Sequence, residues 1–337
     1  MPSAFITGVT GQDGAWLAKL LLEKGYTVYG GIRRNSRKNL STLEFLNIAD
    51  KIKLVDFDLT EYSNIFETVK AIKPDEFYNL AAQSFVGTSF KQPILTSLTD
   101  GISITYILDI LKTISPETKF YQASTSEMFG KVQEIPQRES TPFYPRSPYG
   151  VAKLYAHWMT INYRESYNMF ATSGILFNHE SELRGPEFVT RKITMNVAKR
   201  FKGISELLEL GNLDSKRDWG YAKEYVEGMY LMLQAKTPEN YVLATGVTTS
   251  IREFVEKAFA VIDINIKWEG EGDKEIGLNI KTGEVLVRVN PEFYRPAEVD
   301  LLVGDASKAE KELGWKAKTN ISELTEIMVK NDIELLS

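Results

Sequence analysis

A hydroxyl, a carboxylate, a phenol and an amine lie close together in sequence, between residues 120 and 153. The phenol and the amine, Tyr149 and Lys153, are four residues apart and follow Ser147-Pro148, a pair suited to the cap and first turn of a helix. On a helix, this spacing places both side chains on one face. An ammonium group beside a phenol favours the phenolate, so we expect a lowered pKa for Tyr149 and acid or base chemistry near neutral pH.

Thr125 and Glu127 supply the hydroxyl and the carboxylate, and they follow residues 120–123, a short apolar run that predicts a buried strand. In a doubly wound sheet, ligands bind in the crevice at the carboxyl ends of the strands. All four groups are therefore expected at one crevice. A Tyr-x-x-x-Lys pair also occurs by chance on exposed helices, so it is the strand-loop-helix setting that indicates a catalytic site.

A glycine turn near the start of the chain predicts a dinucleotide site. Residues 4–7 are typical of a buried parallel strand, Gly8, Gly11 and Gly14 follow with the spacing GxxGxxG, and a helical apolar pattern comes next. The first two glycines allow a tight turn close to a pyrophosphate, and the third allows the helix to pack closely on the strand. The phosphates would lie at the amino end of that helix.

Basic residues, beginning with Arg33 and Arg34, follow the predicted second strand at residues 27–32. An acidic residue there would hold a ribose 2′-hydroxyl, whereas arginine suits a 2′-phosphate. The sequence therefore favours NADP over NAD, with a solvated basic loop as the alternative. Further cofactor neighbours are expected where the predicted strands 53–57, 76–80 and 169–178 end, namely Asp58, Leu59, Ala81, Ala82, Gln83, Ser84 and His179.

The composition argues against several kinds of partner and of catalytic site. The chain has 337 residues, of which 43% are hydrophobic and 25% charged, and its net charge is −5. The basic residues are spread along the chain, so nothing points to a nucleic-acid partner. Without cysteine there is no disulfide or thiolate chemistry, and two histidines do not make a zinc site without several carboxylates. No signal peptide or membrane span is evident, and we expect a cytoplasmic protein.

The predicted fold class is α/β, a Rossmann-type doubly wound parallel sheet with a smaller, mixed α/β C-terminal substrate domain. Residues 1–178 are assigned to the cofactor-binding domain, with returning segments near 214–246, and residues 179–337 mainly to the substrate domain. Residues 94–115 and 188–202 predict helices, 214–233 a loop followed by a helix, 241–245 a last short strand, and 270–289 a hairpin or flexible loop. A short strand and a pair of helices are expected after residue 299.

Taken together, the glycine turn, the Ser/Thr triplet and the Tyr-x-x-x-Lys helix resemble the extended short-chain dehydrogenase/reductase superfamily. Within it, the chain is similar to the GDP-mannose 4,6-dehydratase family. The resemblance runs from residue 8 to residue 299 and is carried by the segments GVTGQDG, NLAAQSFV, QASTSEMFG, QEIPQRESTPFYPRSPYGVAK, NYRESY, GILFNHES, FVTRKIT, GNLDSKRDWGYAKEYV and FYRPAEV.

The resemblance implies a lyase that converts GDP-mannose to GDP-4-keto-6-deoxymannose, a step of deoxysugar biosynthesis, by internal hydride transfer from C4 to C6 on tightly held NADP. It implies the catalytic residues Thr125, Glu127, Tyr149 and Lys153. The implied cofactor contacts are Gly8, Val9, Thr10, Gly11, Gln12, Asp13, Arg33, Asp58, Leu59, Ala81, Ala82, Gln83, Ser84, Lys153, His179 and Arg184. The implied substrate contacts are Ser84, Thr125, Asn178, Lys192, Arg217, Arg295 and Glu298. No metal is implied, and the protein is expected to be a homo-oligomer, either a dimer or a tetramer.

Two segments depart from the family pattern. The loop RRNSRKNLSTLEFLN after the second strand is shorter than the family's arginine-containing loop, which helps to build a tetramer, and residues 181–187 replace its Pro-Arg-Arg-Gly core. Three alternatives therefore stay open. They are the same dehydration of a GDP-D-glycero-D-manno-heptose, a nucleotide-sugar epimerase or keto-reductase that needs only the Tyr/Lys pair and a hydroxyl, and a non-catalytic NADP-sensing protein.

Overall fold

The computed structural model describes residues 1–36, 39–294, 299 and 301–337. Its strands are β1 (Ser3–Thr7), β2 (Thr27–Ile32), β3 (Lys53–Asp56), β4 (Glu76–Asn79), β5 (Lys119–Thr125), β6 (Ala171–Leu176), β7 (Asn178–Glu180), β8 (Leu208–Leu210), β9 (Lys216–Tyr221), β10 (Asn240–Leu243), β11 (Thr248–Ser250), β12 (Ile266–Glu269), β13 (Ile276–Asn279) and β14 (Val285–Val289).

The α-helices are α1 (Gln12–Glu23), α2 (Ser41–Phe45), α3 (Tyr62–Ile72), α4 (Val86–Lys91), α5 (Pro93–Thr96), α6 (Ser103–Ile114), α7 (Pro148–Tyr167), α8 (Val189–Phe201), α9 (Ala222–Gln234), α10 (Ile251–Ala260), α11 (Ser307–Leu313) and α12 (Ile321–Leu335). A π-helical turn, Ser97–Ile102, joins α5 to α6, and 3₁₀ turns lie at Ser126–Met128, Gly272–Lys274 and Pro291–Phe293.

Seven parallel strands form the central sheet in the order β10-β6-β5-β4-β1-β2-β3. Six of them follow the Rossmann order, in which the strand sequence reverses between β1 and β4 and leaves a crevice there. The seventh, β10, returns from the second half of the chain to pair with β6. The predicted fold class is confirmed.

Apolar residues pack on both faces of this sheet. One cluster includes Trp16, Leu17, Val226 and Met229 from α1 and α9, and a second, on the other face, includes Ile65 of α3 with other helical residues. This double covering explains the continuous apolar runs of the central strands. Residues Pro93–Ile114 are long and apolar enough to cross a membrane, but half of their most apolar stretch is buried inside the protein, as in a core helix.

The remaining strands form two small mixed sheets that position the other side of the crevice. One has the order β11-β9-β7 and the other β12-β13-β14-β8. A separate apolar cluster, which includes Ile193, Phe254 and Met328, joins α8, α10 and α12 to the second sheet. The division into two domains at residue 178 stays a prediction.

Two local expectations differ from the structure, and a third is narrowed to one of its two alternatives. Residues 216–221, expected within a loop, form β9, because this segment pairs with β7 on one side and β11 on the other. The expected strand 169–178 is two strands, β6 and β7, on either side of Phe177. For residues 270–289, the structure has the hairpin alternative, since β13 and β14 are antiparallel.

Candidate active site

A cleft of about 570 Å³ lies at the carboxyl ends of the central strands, between the central sheet and the small sheets. Its position is the one that the Rossmann topology favours for ligands. Among the predicted site residues, its walls contain Gly8, Gly11, Gln12, Asp13, Ala81, Ala82, Ser84, Thr125, Glu127, Tyr149, Lys153, Asn178, His179, Arg184, Lys192 and Arg217. Residues far apart in sequence are therefore brought to one cavity.

Other predicted residues lie outside the walls of this cleft. Val9 and Leu59 are buried in the apolar core, and Arg33 is exposed directly after β2. The Thr10 carbonyl accepts a hydrogen bond from Thr42, and the Asp58 carboxylate accepts bonds from the backbone and hydroxyl of Thr60. The Gln83 backbone N–H donates to Asp100. Arg295 and Glu298 lie outside the described residues.

The Tyr-x-x-x-Lys helix begins as the sequence predicts. The Ser147 hydroxyl accepts a hydrogen bond from the Gly150 backbone N–H at 3.0 Å, and Pro148 is the first helical residue of α7. Lys153 Nζ donates to the Ala123 carbonyl of β5 at 3.0 Å and lies 5.9 Å from the centre of the Tyr149 ring. This contact fixes the amine between the helix and the end of β5.

Thr125 and Glu127 lie at the end of β5, opposite α7. The Thr125 hydroxyl accepts a hydrogen bond from the Glu127 backbone N–H at 3.2 Å, and so caps the short 3₁₀ turn that carries Glu127. Thr125 also acts on the Tyr149 phenol, whose pKa it lowers against the larger rise from burial. The hydroxyl, carboxylate, phenol and amine identified from the sequence are thus part of one buried cluster on the cleft wall.

The charge environment of Tyr149 differs from the expectation of a lowered pKa. Burial raises the pKa of Tyr149, and the Asp100 and Glu127 carboxylates raise it further, whereas Thr125 and Arg184 oppose the rise. Burial also lowers the pKa of Lys153. The nearby cation alone favours a lowered pKa for Tyr149, but the desolvation of both groups, which the sequence does not reveal, acts in the opposite direction.

The glycine turn leaves no space for side chains at Gly8 and Gly14. Gly8 has φ +67°, and a Cβ there would lie 2.9 Å from the Ala81 Cα. A Cβ on Gly14 would lie 2.3 Å from the Gly8 carbonyl oxygen. At the amino end of α1, Gly11 offers no side-chain cap, so the helix N–H groups are available to an anion. These features fit the pyrophosphate of a dinucleotide cofactor.

Asp13 and His179 form a buried pair across the cleft floor. His179 Nε2 lies 2.7 Å from Asp13 Oδ2, and Nδ1 lies 2.7 Å from the Phe177 carbonyl oxygen. Burial opposes charge on both groups, but their attraction raises the pKa of His179 and lowers that of Asp13. The Gln12 amide donates to the His179 carbonyl at 3.1 Å, so polar contacts join the start of α1 to β7.

Basic groups from the second half of the chain line the far wall. Lys192 Nζ lies 3.8 Å from the centre of the Phe293 ring, and burial lowers the pKa of this amine. Arg184 forms an ion pair with Glu180 at 2.9 Å, without hydrogen-bond geometry, and its guanidinium lies 3.6 Å from the centre of the Phe188 ring. With Arg217, these residues give the wall a positive charge suited to phosphates.

Sequence reasoning missed several residues at the site. Phe85 and Phe188, whose ring centres are 5.9 Å apart, both line the cleft, as do Trp219 and Phe293. Isolated aromatic residues are usually core residues, and no spacing distinguishes these. Asp100, a buried carboxylate whose charge acts on Tyr149 and Lys153, was also missed because it lies within an apolar helical pattern that predicts only core packing.

Comparison with known proteins gives consistent matches. The family model described as GDP-mannose 4,6 dehydratase matches residues 5–328. A GDP-mannose 4,6 dehydratase of Drosophila melanogaster is 54% identical over 99% of this chain and 86% of its own length, and one of Sinorhizobium fredii is 51% identical over 99% and 97%. The crystal structure of DesIV, a dTDP-glucose 4,6-dehydratase from Streptomyces venezuelae with NAD and TYD bound, superposes with a TM-score of 0.83 at 18% identity, over 98% of this chain and 97% of its own.

Proposed function

Since the chain belongs to the GDP-mannose 4,6-dehydratase family, it is a hydro-lyase acting on a GDP-linked sugar, and we propose which residues and which cofactor carry the reaction. The observation that carries the proposal is that Thr125, Glu127, Tyr149 and Lys153 meet on one wall of the cleft, with the glycine turn at one side and basic residues at the other.

We assign two separate proton transfers to two bases. Tyr149 takes the proton of the sugar O4, and Arg184 stabilises the phenolate that this role requires. We assign the same part to the Lys153 amine, which lies 5.9 Å from the centre of the Tyr149 ring. Thr125 hydrogen-bonds the reacting hydroxyl and the phenol. Glu127 takes the C5 proton, which the C4 ketone has made acidic, as hydroxide leaves C6. When C6 receives hydride, Glu127 returns a proton to C5, so the net loss is the O4 proton and the C6 hydroxide, which together amount to one water.

The proposed cofactor is NADP, held by the glycine turn, the amino end of α1 and the residues near Asp13 and His179. When bound, it would bring a positive charge, accept hydride from C4 and return hydride to C6. The exposed Arg33 directly after β2 supports NADP over NAD, because that position in the Rossmann fold contacts the ribose 2′ substituent. The fold neighbours that bind nicotinamide cofactors support the dinucleotide itself.

The substrate phosphates are assigned to the basic far wall, with Ser84, Asn178, Lys192 and Arg217 as contacts. Arg295 and Glu298 remain predictions outside the described residues. A cytoplasmic location also stays a prediction.

We also propose that the protein is a homo-oligomer. Val151, Tyr155 and Trp158 form an exposed apolar stripe on α7, and Val151 and Trp158 are each more than half exposed. Exposed Ile94 and Leu98 belong to the adjoining helical run before α6, whose Thr105 hydroxyl lies 2.9 Å from the Tyr155 hydroxyl. Contiguous exposed apolar groups of this kind mark interaction sites, and a second copy would cover them.

The experiment that tests the proposed function replaces Glu127 with Gln. This variant keeps the shape of the side chain but removes the basic carboxylate, so product formation should fall about 10²- to 10⁴-fold, the usual contribution of a general base. GDP-mannose and GDP-manno-heptose are supplied in parallel, and loss of one water is followed by mass spectrometry. Cofactor absorbance and exchange of the C5 hydrogen with deuterium are recorded together.

The pattern among variants separates the two bases. Glu127→Gln should still oxidise C4, so reduced cofactor should accumulate on the enzyme while C5 exchange slows. Tyr149→Phe should lose both signals, and Glu165→Gln, an exposed position on α7, should change neither. Near-normal dehydration or normal C5 exchange in Glu127→Gln would show that Glu127 is not the base.

A further inference from the structure

The helical run behind Lys153 is interrupted by a π-helical turn. Between α5 and α6, residues Ser97–Ile102 widen the helix, and the Ser103 backbone N–H donates to the Leu98 carbonyl, five residues earlier. Such turns are rare and are frequent at functional sites. The widened turn carries Asp100, a carboxylate within an otherwise apolar segment.

Close packing brings this turn to the residue before Lys153. A Cβ on Gly101 would lie 3.4 Å from the Ala152 carbonyl oxygen and 3.6 Å from the Ala152 Cα. These are ordinary van der Waals distances, so the π turn packs directly against the backbone of α7 at this point. Asp100 and Lys153 are neighbours of this contact on their respective helices.

Of the two carboxylate oxygens of Asp100, one accepts a hydrogen bond and the other accepts none from the described residues. Its side chain is 4% exposed, and Oδ1 accepts a hydrogen bond from the Gln83 backbone N–H at 2.7 Å. Oδ2 is buried and has no hydrogen-bond partner among the described residues. A buried carboxylate without partners is costly unless a cation compensates it, so this oxygen requires an explanation.

Lys153, itself 3% exposed, is a buried cation whose charge acts on Asp100. Burial raises the pKa of Asp100 to about 6, and the charge of Lys153 opposes that rise. Burial lowers the pKa of Lys153, and the charge of Asp100 opposes that fall most strongly, followed by Asp13. The interaction therefore acts on both groups in the direction that keeps each charged.

We propose that Asp100 is a positioning residue of the active site, resting on the assignments of Tyr149 and Lys153 above. Its carboxylate is the buried counter-charge that keeps Lys153 protonated and donating to the Ala123 carbonyl, beside Tyr149. Asp13 supports the same charge from the cofactor side. Burial raises the pKa of the Tyr149 phenol most, Asp100 and Glu127 also raise it, and Arg184 lowers it. The effect of Asp100 through Lys153 therefore opposes its direct effect on the phenol. Without Asp100, the amine would lose its proton at a lower pH and would no longer favour the phenolate.

The test measures the Lys153 amine directly. Protein with ¹³C,¹⁵N-labelled lysine is titrated by NMR without substrate or cofactor, and Lys153 is identified by the signal lost in Lys153→Arg. The amine midpoint should fall by about one pH unit, a tenfold change in proton affinity, in Asp100→Asn. Asn still accepts the Gln83 N–H, so the loop contact is kept. Asp109→Asn, which removes a half-exposed carboxylate of α6 paired with Lys112, should leave the midpoint unchanged.

Activity gives a second readout. The alkaline limb of the kcat/KM profile should move to lower pH in Asp100→Asn and move back in Asp100→Glu, which restores the charge. A folded Asp100→Asn protein whose Lys153 midpoint equals that of the wild type would overturn the inference. Failure of the proposed function would appear separately, as an absence of dehydration in the wild type, and would not alter the NMR titration.

One measurement does not depend on the variant. In the wild type, the Lys153 signal should show a second inflection near pH 6, where the Asp100 carboxylate titrates. If Asp100→Asn does not fold, this inflection decides the question: its presence supports the coupling, and its absence overturns it.

Discussion

Replacing Asp13 with Asn should destabilise the cofactor-free protein more at pH 5 than at pH 7. In the wild type, both ring nitrogens of His179 face acceptors, Asp13 Oδ2 and the Phe177 carbonyl, each at 2.7 Å. A ring that donates from both nitrogens is the protonated imidazolium. The pair raises the pKa of His179, and Asn cannot supply the charge that does so.

The sign and size of the effect follow from proton binding. A raised histidine pKa contributes stability that is complete below the unfolded value of about 6.5 and is lost as the pH rises through the folded value. The lowered pKa of Asp13 contributes stability that is present above about pH 3.9 and is lost as the pH falls. The pair therefore stabilises most between about pH 4 and 6.5. In Asp13→Asn, burial and Arg184 remain, and both lower the pKa of His179.

The folded variant should consequently bind fewer protons than the folded wild type between pH 5 and 7, by at most one. Each pH unit then changes the difference in unfolding free energy by at most about 1.4 kcal/mol, or up to roughly 2.7 kcal/mol over the interval. The side chains of both partners are less than a quarter exposed, so solvent screening is modest. The unfolded states contribute little to this change, because their histidines are the same.

Urea unfolding followed by tryptophan fluorescence at pH 5, 6 and 7 measures this difference. Asp109→Asn is the matched control, because it removes a half-exposed carboxylate paired with Lys112, and its effect should stay small and flat across the interval. A difference for Asp13→Asn that is equal at pH 5 and pH 7 would refute the reasoning, since it would mean that His179 carries no additional proton in the wild type.

Two further predictions concern cofactor choice and assembly. Arg33→Ala should weaken NADP binding by about 1.5 to 3 kcal/mol, the range for a hydrogen bond to a charged group, with little change for NAD. Equal weakening in a titration of both cofactors would show that Arg33 does not contact the 2′-phosphate. Trp158→Glu should convert the oligomer to smaller species in sedimentation velocity, whereas Val247→Glu, which is also exposed but lies on a different element, should not; unchanged sedimentation of the Trp158 variant would place the subunit contact elsewhere.

The central sheet was predictable because its strands and helices satisfy local rules. β2 spans the predicted residues 27–32, and Ser147 caps α7 at the predicted position. β9 was not predictable in this way. Its Asp218 is fully buried because the carboxylate accepts hydrogen bonds from Thr245, Gly246 and Gly304, all distant in sequence. The hydrophobic periodicity of the sequence does not detect such long-range pairing, so it predicts a loop for this charged strand.

The candidate site likewise combines features that follow from local sequence with features that depend on distant residues. The i, i+4 spacing of Tyr149 and Lys153 and the position of Thr125 and Glu127 at a strand end are local features, and the structure brings these residues to one cleft. The charge balance around the phenol is not local. It depends on how deeply α7 is buried and on Asp100, a residue of the π-helical turn whose charge acts on Lys153.

The raised pKa of Tyr149 is compatible with its proposed role as a base. Burial, Asp100 and Glu127 make the phenolate less populated, but they also make it a stronger base once it forms. Transfer of the O4 proton to the phenolate removes one anion from this cluster, and transfer of the C5 proton to Glu127 removes another. In the proposed mechanism, each proton taken from the sugar therefore relieves repulsion within the site, while Arg184 lowers the cost of forming the phenolate at the start. The carboxylates that raise the pKa of Tyr149 in the resting site would thus favour both proposed proton transfers.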